Sequence, residues 1–440
     1  MMKILLINPI IEKPQVRLPN MPEPLGLEYL AAMLIPEHEV YIIDGLPTGL
    51  SYDEIINTIK DFQPNIIGIS VNYSFAIKVA KELSDIIKKH LPDSIIVLGG
   101  NNSTFLADDL IKHPSIDIIV LGEGELTFKE LIEKWEVRSG KCDFEHISGL
   151  CYKTSDGKIK FTPKRPVIKD LDTLPLPAHS ILKNKDYYER TILTARGCGY
   201  NCIYCSSSSF WGNYRPRRIE SIVKEIESLF ASDLSYSTNR IVFIDDTFTI
   251  DKNRVENLCK ELARLRNKFD FVWACHARIE NMTEELLITM AESGCCAIGF
   301  GIESGSPKIL NFLKRKYTPD DVINATKLCA KLGIRVDTGF MVGLPYEEKE
   351  DLEQTFALME EIPGLTGISI LTPFPGTPIF NEPDKYQLTI IPHSPEENDI
   401  NKYAWLNTGY LTGEEILAAY QTGLNICFRK VMQAAFTELL

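Results

Sequence analysis

Arg196-Gly197-Cys198-Gly199-Tyr200-Asn201-Cys202-Ile203-Tyr204-Cys205 places three cysteines in a CxxxCxxC spacing. Three thiolates so close together can hold three irons of one four-iron, four-sulfur cluster and leave the fourth iron open, whereas a cluster that only carries electrons usually takes four cysteines. The open iron is where a substrate or cosubstrate would bind. A structural zinc site would need a fourth Cys or His at a matching spacing, and the nearest histidines, His179 and His276, lie far off in sequence. Cysteines can also serve simply as core residues. Gly197 and Gly199 flank the first cysteine, which suits a loop folded around an inorganic core better than a packed helix or strand.

Working outward, the chain after Thr191 reads as strand, cysteine loop, then repeated helix and strand. Strands are expected near 192–196, 240–246, 270–277, 296–303, 334–342 and 366–372. Six βα units predict a partial TIM-like barrel, with functional residues at the carboxyl ends of its strands. Upstream, five apolar runs ending at about Asn8, Asp44, Ser70, Gly100 and Glu123 alternate with helical patterns over 25–35, 52–61, 75–90 and 104–112. Such alternation predicts a doubly wound parallel α/β sheet whose ligand sits beyond the strands' carboxyl ends. Those ends carry Asn8, Ser70, Gly99, Gly100 and the run Gly122 to Glu125. A GxGxxG after the first run is lacking, so a dinucleotide site is not expected. The expected organisation is a Rossmann-like domain over 1–136, a hairpin and proline-bearing linker over 137–185, the cluster core over 186–380, and a C-terminal helical segment over 381–440. In that last segment Leu417, Tyr420, Leu424, Phe428, Val431 and Ala435 form a stripe expected to pack on the barrel.

Composition fits a soluble enzyme: 44% hydrophobic and 24% charged residues in 440. A net charge of -13 argues against general nucleic-acid binding. No apolar run approaches the ~18 residues of a membrane span, and the N-terminus lacks a secretory cleavage pattern. Eleven cysteines, an odd count, point to free thiols in a reducing cytoplasm.

The triad, with Tyr204 before its last cysteine, resembles the radical S-adenosylmethionine (SAM) superfamily. The stretch Pro24-Leu25-Gly26-Leu27-Glu28-Tyr29-Leu30-Ala31-Ala32 resembles the cobalamin-binding domain that precedes the radical SAM core in one large subfamily, that of the class B methyltransferases. The resemblance implies that Cys198, Cys202 and Cys205 ligate the cluster, whose open iron chelates SAM. One electron then cleaves SAM to a 5'-deoxyadenosyl radical. By position, Tyr204 would lie near the adenine and Glu303 at the ribose. Asp245 and Asp246 alternate to opposite faces of their strand, so only one can line the barrel, and either could bind the SAM ammonium or cap the next helix. Gly343 would let the backbone approach the adenosine, or only serve a turn. Residues 372–378 would form a loop over the active site. Cobalamin would lie at Ser70, Gly99, Gly100 and Glu123. Two departures bear on that cofactor. The DxHxxG motif is absent, as is common in the subfamily, and Asn101-Asn102-Ser103-Thr104 replaces the usual ProHis after the glycines. A sheet that has become a scaffold without cobalamin is the alternative.

The resemblance therefore implies cobalamin-dependent methyl transfer to an unactivated carbon of a small molecule. Non-methylating radical chemistry (cyclisation, dehydration or epimerisation) shares every motif and is the second reading. A non-catalytic iron-sulfur carrier leaves Glu303 and Gly343 without a role. Methylthiolation of transfer RNA would need cysteines in the N-terminal domain, and none precedes Cys142. The electron would come from a flavodoxin- or ferredoxin-type donor, for which Arg215-Pro216-Arg217-Arg218 and Lys314-Arg315-Lys316 are candidate docking runs, or else solvated faces. His276 is a candidate acid-base residue or a hydrogen-bonded barrel histidine. Cys295 and Cys296 read as core residues.

Overall fold

The computed structural model describes residues 1–9, 22–45, 51–137, 144–182, 187–232, 234, 236–394, 396 and 402–438. The chain divides into two compact units. One holds Met1–Thr191 and Phe210–Thr238; the other holds Ile192–Ser209, Asn239–Ser394 and the C-terminal segment.

The first unit is built on the expected alternation. Strands β1 (Lys3–Asn8), β2 (Glu39–Asp44), β3 (Ile66–Ser70), β4 (Ile95–Gly99) and β5 (Ile118–Val120) pair in parallel in the order β2-β1-β3-β4-β5. Side chains alternate across a strand with a period of two. Leu5 and Ile7 thus join Ile67, Ile69 and the helices Tyr52–Phe62 and Phe75–His90 on one face. Ile4 and Leu6 join Leu27, Ala31, Phe128 and Leu131 on the other. The first of these helices starts sharply because Ser51 and Glu54 form a reciprocal capping box. The pattern over 104–112 resolves into two short helices, Asn101–Phe105 and Ala107–Leu110, broken at Leu106. The hairpin around Ser155-Asp156-Gly157 is present as β6 (Leu150–Lys153) and β7 (Ile159–Phe161). It extends the parallel sheet by antiparallel pairing, with Ile119 opposite Cys151.

The second unit carries a six-stranded sheet whose strands follow one another in chain order. They are β8 (Arg190–Ile192), where the chain passes from one unit to the other, β9 (Arg240–Phe243), β10 (Val272–Ala277), β11 (Cys295–Glu303), β12 (Arg335–Val342) and β13 (Leu365–Ile370). The pairings from β9 to β13 are parallel. This is the expected open barrel. Its helix-covered face buries Trp273, Phe300, Phe340 and Ile370. On the opposite face Gly301, Gly339 and Gly367 stand side by side in register across three strands.

The C-terminal helix Gly413–Glu438 packs through a stripe that keeps Tyr420 of the expected one, with Leu417 and Leu424 half-buried, but turns away from its later members. Ile416, Ala419, Tyr420 and Ile426 are buried, whereas Phe428 and Val431 are 66% and 47% exposed. Ala435 falls outside the described side chains. The cause is Gly423: a β-carbon there would lie 2.3 Å from Ile368, so the helix approaches β13 along its smallest residue, not its bulkiest ones. The buried Lys430 donates to the carbonyls of Met359 and Ile362, capping the helix Lys349–Glu361. Among the described residues, no helix is long and apolar enough to cross a membrane.

Candidate active site

A two-residue strand, Ala195–Arg196, leads into the cysteine loop, and Gly197 takes φ +77°, a left-handed turn open to glycine at little cost. Cys198, Cys202 and Cys205 follow, all half-buried free thiols. Each sulfur meets a polar group. Arg278 Nη1 lies 3.6 Å from Cys202, the Ser207 N–H 3.4 Å from Cys205, and the Thr247 hydroxyl 3.5 Å from Cys198. Burial first, and then the nearby Asp246 and the other two sulfurs, push the Cys205 thiol up to about 11. Three sulfurs in one loop can share an iron-sulfur cluster as their common partner, and N–H groups aimed at cluster sulfurs are a usual means of tuning one. The residues present therefore fit a three-cysteine cluster.

Two arginines brace this loop. The Arg278 guanidinium stacks 3.6 Å from the Tyr200 ring centroid and pairs with Glu280 at 2.7 Å. Arg315, buried, donates to the Tyr204 hydroxyl at 2.7 Å and to Glu303 Oε1 at 2.5 Å. Tyr204 and Glu303 thus meet at one guanidinium. Burial raises the Glu303 carboxyl, and Arg315 opposes that rise. Glu303 sits at φ +71°, where β11 shifts register against β12. A non-glycine residue held there stores on the order of 1–3 kcal/mol, a cost that clusters at functional sites.

The two aspartates after β9 part company. Asp245 is buried and accepts from both the backbone N–H and the hydroxyl of Thr194; burial raises its carboxyl to about 6. Asp246 is exposed and accepts from Ser207 at 2.5 Å, beside Cys205. His276 faces the open side of the sheet against Gly299, and burial lowers its pKa, leaving it neutral at physiological pH. Within the 372–378 segment's continuation, Ile379 N–H donates to Ile203 O, which ties that loop to the cysteine loop.

Gly343, at φ +82°, lies under Ile416, where a β-carbon would come within 3.0 Å. Its N–H donates to the buried Glu347 at 2.7 Å. Burial raises the Glu347 carboxyl to about 8, against the opposing pull of the Gly343 and Leu344 N–H groups. The folded chain therefore keeps this proton between about 4.5 and 8 while the unfolded chain releases it, so this group's share of stability declines as pH rises through that window. Glu347→Gln should flatten the decline and raise the thermal midpoint at pH 8 relative to wild type. Thermal melts from pH 5 to 9 check this, and an unchanged slope would count against it.

At the carboxyl end of the first unit's sheet, Ser70 accepts from Asn72 at 3.0 Å, and Val71 N–H donates to Gly99 O at 2.7 Å. Gly100 takes φ +101° with no room for a β-carbon, which would lie 2.5 Å from Asn72 Oδ1. Tyr73 and Phe75, both exposed, stack 5.2 Å apart just beyond β3. These form a small, glycine-backed ledge with an aromatic platform, which fits a large flat cofactor. Glu123 stands apart from that ledge: it accepts from Ile168 N–H at 2.7 Å and pairs with Arg215 at 3.0 Å, all buried.

Residues 192–359 match the model of the radical SAM superfamily, and residues 16–132 match that of the B12 binding domain. An uncharacterized methyltransferase of Pyrococcus horikoshii is 36% identical over 385 residues, covering 86% of this chain and 82% of its own length. The chain belongs to the radical SAM superfamily. The anaerobic magnesium-protoporphyrin IX monomethyl ester cyclase of Rubrivivax gelatinosus is 28% identical, over 87% of this chain and 70% of its own. In fold, the chain is similar to the radical SAM methyltransferase TsrM of Kitasatospora setae, solved with cobalamin and a [4Fe-4S] cluster. The TM-score is 0.73 at 19% identity, over 96% of this chain and 88% of that one.

Three features of this radical SAM chain escaped the sequence reading. Arg315 stands in a basic run and Arg278 at the end of the third barrel strand, and only their burial against carboxylates reveals them as braces of the cysteine loop. The glycine row had a signal in the sequence, a glycine at matching depth in three successive strands, which needs the strand register to be seen. Neither basic run forms a surface patch. Arg215 and Arg217 are buried against Glu123 and Glu225, and Arg315 against Glu303, because each charge is neutralised inside its unit. Arg218, Lys314 and Lys316 remain exposed.

Proposed function

We propose that this chain is a cobalamin-dependent radical SAM methyltransferase that acts on an unactivated carbon of a small molecule. The observation that carries the reading is the three-sulfur loop, with a polar group against each sulfur and N–H donors at Cys202 and Cys205, in a chain that also holds a B12 binding domain and matches a methyltransferase relative over 82% of that relative's length. When bound, the cluster supplies the electron that cleaves SAM, and cobalamin supplies a methyl carrier.

The protein's own part is orientation and exclusion of water. Cys198, Cys202 and Cys205 hold the cluster, and the Arg278 charge beside Cys202 favours its reduced form. Tyr204 and Glu303, locked together by Arg315, present a ring and a carboxylate for the adenosine. Gly301, Gly339 and Gly367 leave a floor without side chains for the reacting groups. Gly343 serves this floor indirectly, by admitting the C-terminal helix. Asp245 holds Thr194, just ahead of the cysteine loop, in place, which leaves Asp246 as the aspartate facing that loop. On the first unit, Ser70, Gly99 and Gly100 would border the cobalamin and Glu123 would support their loop through Arg215. The electron comes from a flavodoxin- or ferredoxin-type protein in the cytoplasm.

The cyclase relative favours a second reading, radical chemistry without methyl transfer. One assay separates the two. Under anaerobic conditions with reductant, SAM and hydroxocobalamin, methyl transfer yields S-adenosylhomocysteine together with 5'-deoxyadenosine. A reconstituted protein that makes 5'-deoxyadenosine alone would sink the methyltransferase reading.

A further inference from the structure

Two sequence features of the first unit play no part in the chemistry above: the stretch from Glu23 through Ala32, and the proline-rich stretch ending at His179. The fold brings them together. Glu23 and Glu28 sit at the start of the helix Leu25–Leu34, and His179 opens a short turn whose neighbour Ala178 donates to Glu28 O at 3.2 Å. His179 Nδ1 lies 2.9 Å from Glu23 Oε2 and 2.7 Å from Glu28 Oε2, and one ligand atom from each residue falls within 4.8 Å of the others. All three residues are buried, Glu28 completely.

One imidazole N–H cannot serve two carboxylates well. Both Glu28 oxygens lack a hydrogen bond of good geometry, although this carboxylate has no contact with water. A third carboxylate, Glu225, faces the other side of the ring, 3.4 Å from His179 Nε2, and is itself held by Arg217 at 2.5 Å. His179 and Arg217 are the cations paired directly with these three buried carboxylates, and Arg190 acts on Glu23 from further off. The arrangement is also the one that metal-binding histidines use: one ring nitrogen faces the ion, and the other donates to a carboxylate that fixes tautomer and ring orientation.

We propose that Glu23, Glu28 and His179 bind a divalent transition cation, with zinc the natural occupant of two carboxylates and an imidazole, and that Glu225 is the residue orienting the histidine. Zinc bonds to such ligands are about 2.0–2.2 Å long, which sets ligand atoms about 3.3 Å apart in a tetrahedron. The observed spacings, 2.9 and 2.7 Å from the imidazole nitrogen and none above 4.8 Å, bracket that value. The ion would staple the entry of the first helix to the linker, far in sequence from the cysteine loop, and the proposal does not depend on the radical reading.

The test uses the full chain with its cluster reconstituted anaerobically, so that the cysteines are occupied. After dialysis against a chelator, zinc is titrated back and counted by elemental analysis beside iron. We expect one zinc per chain, a first shell of nitrogen and oxygen by zinc X-ray absorption, and a higher thermal midpoint with zinc. In Glu28→Gln and Glu23→Gln the zinc should be lost with the iron count unchanged. Wild type that takes up no zinc, or zinc with sulfur in its first shell, would overturn the proposal and leave a proton-sharing ion-pair network in its place. Should Glu28→Gln fail to fold, the wild-type isotherm and its absorption spectrum still decide.

Discussion

Cys202→Ala should abolish reductive SAM cleavage, a loss of at least ~10³-fold in 5'-deoxyadenosine formation, equivalent to about 4 kcal/mol or more of lost transition-state stabilisation. The reason is local. Cys202 is the middle of three sulfurs, its carbonyl accepts from Cys205 N–H at 3.2 Å, and its sulfur is the one beside Arg278. Without it the remaining two thiols cannot fix a four-iron cluster, and the guanidinium, still paired with Glu280, loses the sulfur it faces. The fold should survive, because the residue is half-buried and the sheet beneath the loop does not rest on it. The check is iron content and product analysis on anaerobically reconstituted protein, alongside a thermal melt. A variant that keeps SAM cleavage would remove the three-cysteine assignment altogether.

Gly339→Val should also spare the fold, and should cut turnover less severely. Gly339 lies in mid-strand between Gly301 and Gly367, and the nearest atom to a β-carbon built there is Phe300 O at 3.9 Å. The backbone admits the side chain, and glycine in mid-strand costs roughly 0.5–1 kcal/mol relative to alanine. Valine, a β-branched residue suited to strands, should therefore hold or raise the thermal midpoint. Yet its methyl groups would stand on the floor where the reacting groups must lie, so 5'-deoxyadenosine formation should fall about 10²-fold; a 1 Å misplacement can carry a loss of that order. Unaltered turnover in a well-folded variant would show that the row is not part of the site. The same change at Gly423 would behave differently, because Ile368 is already 2.3 Å from a β-carbon there and the C-terminal helix would be driven off.

The cysteine spacing and the strand rhythm were legible because each is written in contiguous residues. Three thiols in one loop, and apolar runs a dozen or more residues apart, need no tertiary information. Thus the parallel sheet of the first unit, the open barrel of the second and the position of the cysteine loop agree with the reading from sequence. What was not legible depended on partners distant in the chain. Arg315 reads as one of three adjacent cations until Glu303 and Tyr204 are seen to surround it. Glu123 reads as a ligand at a strand end until Arg215 claims it. Asp245 and Asp246 are adjacent, and alternation says that they diverge without saying which one Thr194 captures. In the last helix, counting apolar residues selected Phe428 and Val431, whereas close packing selected Gly423.

The polar groups around the cysteine loop are themselves fixed by partners other than the sulfurs. Arg278 is held by Glu280 and the Tyr200 ring, and Thr247 donates to the carbonyl of Asp246. The surroundings of the sulfurs therefore reach beyond the loop that carries them: exchanging Glu280 or Tyr200 would disturb the cysteines through Arg278 without altering any of the three.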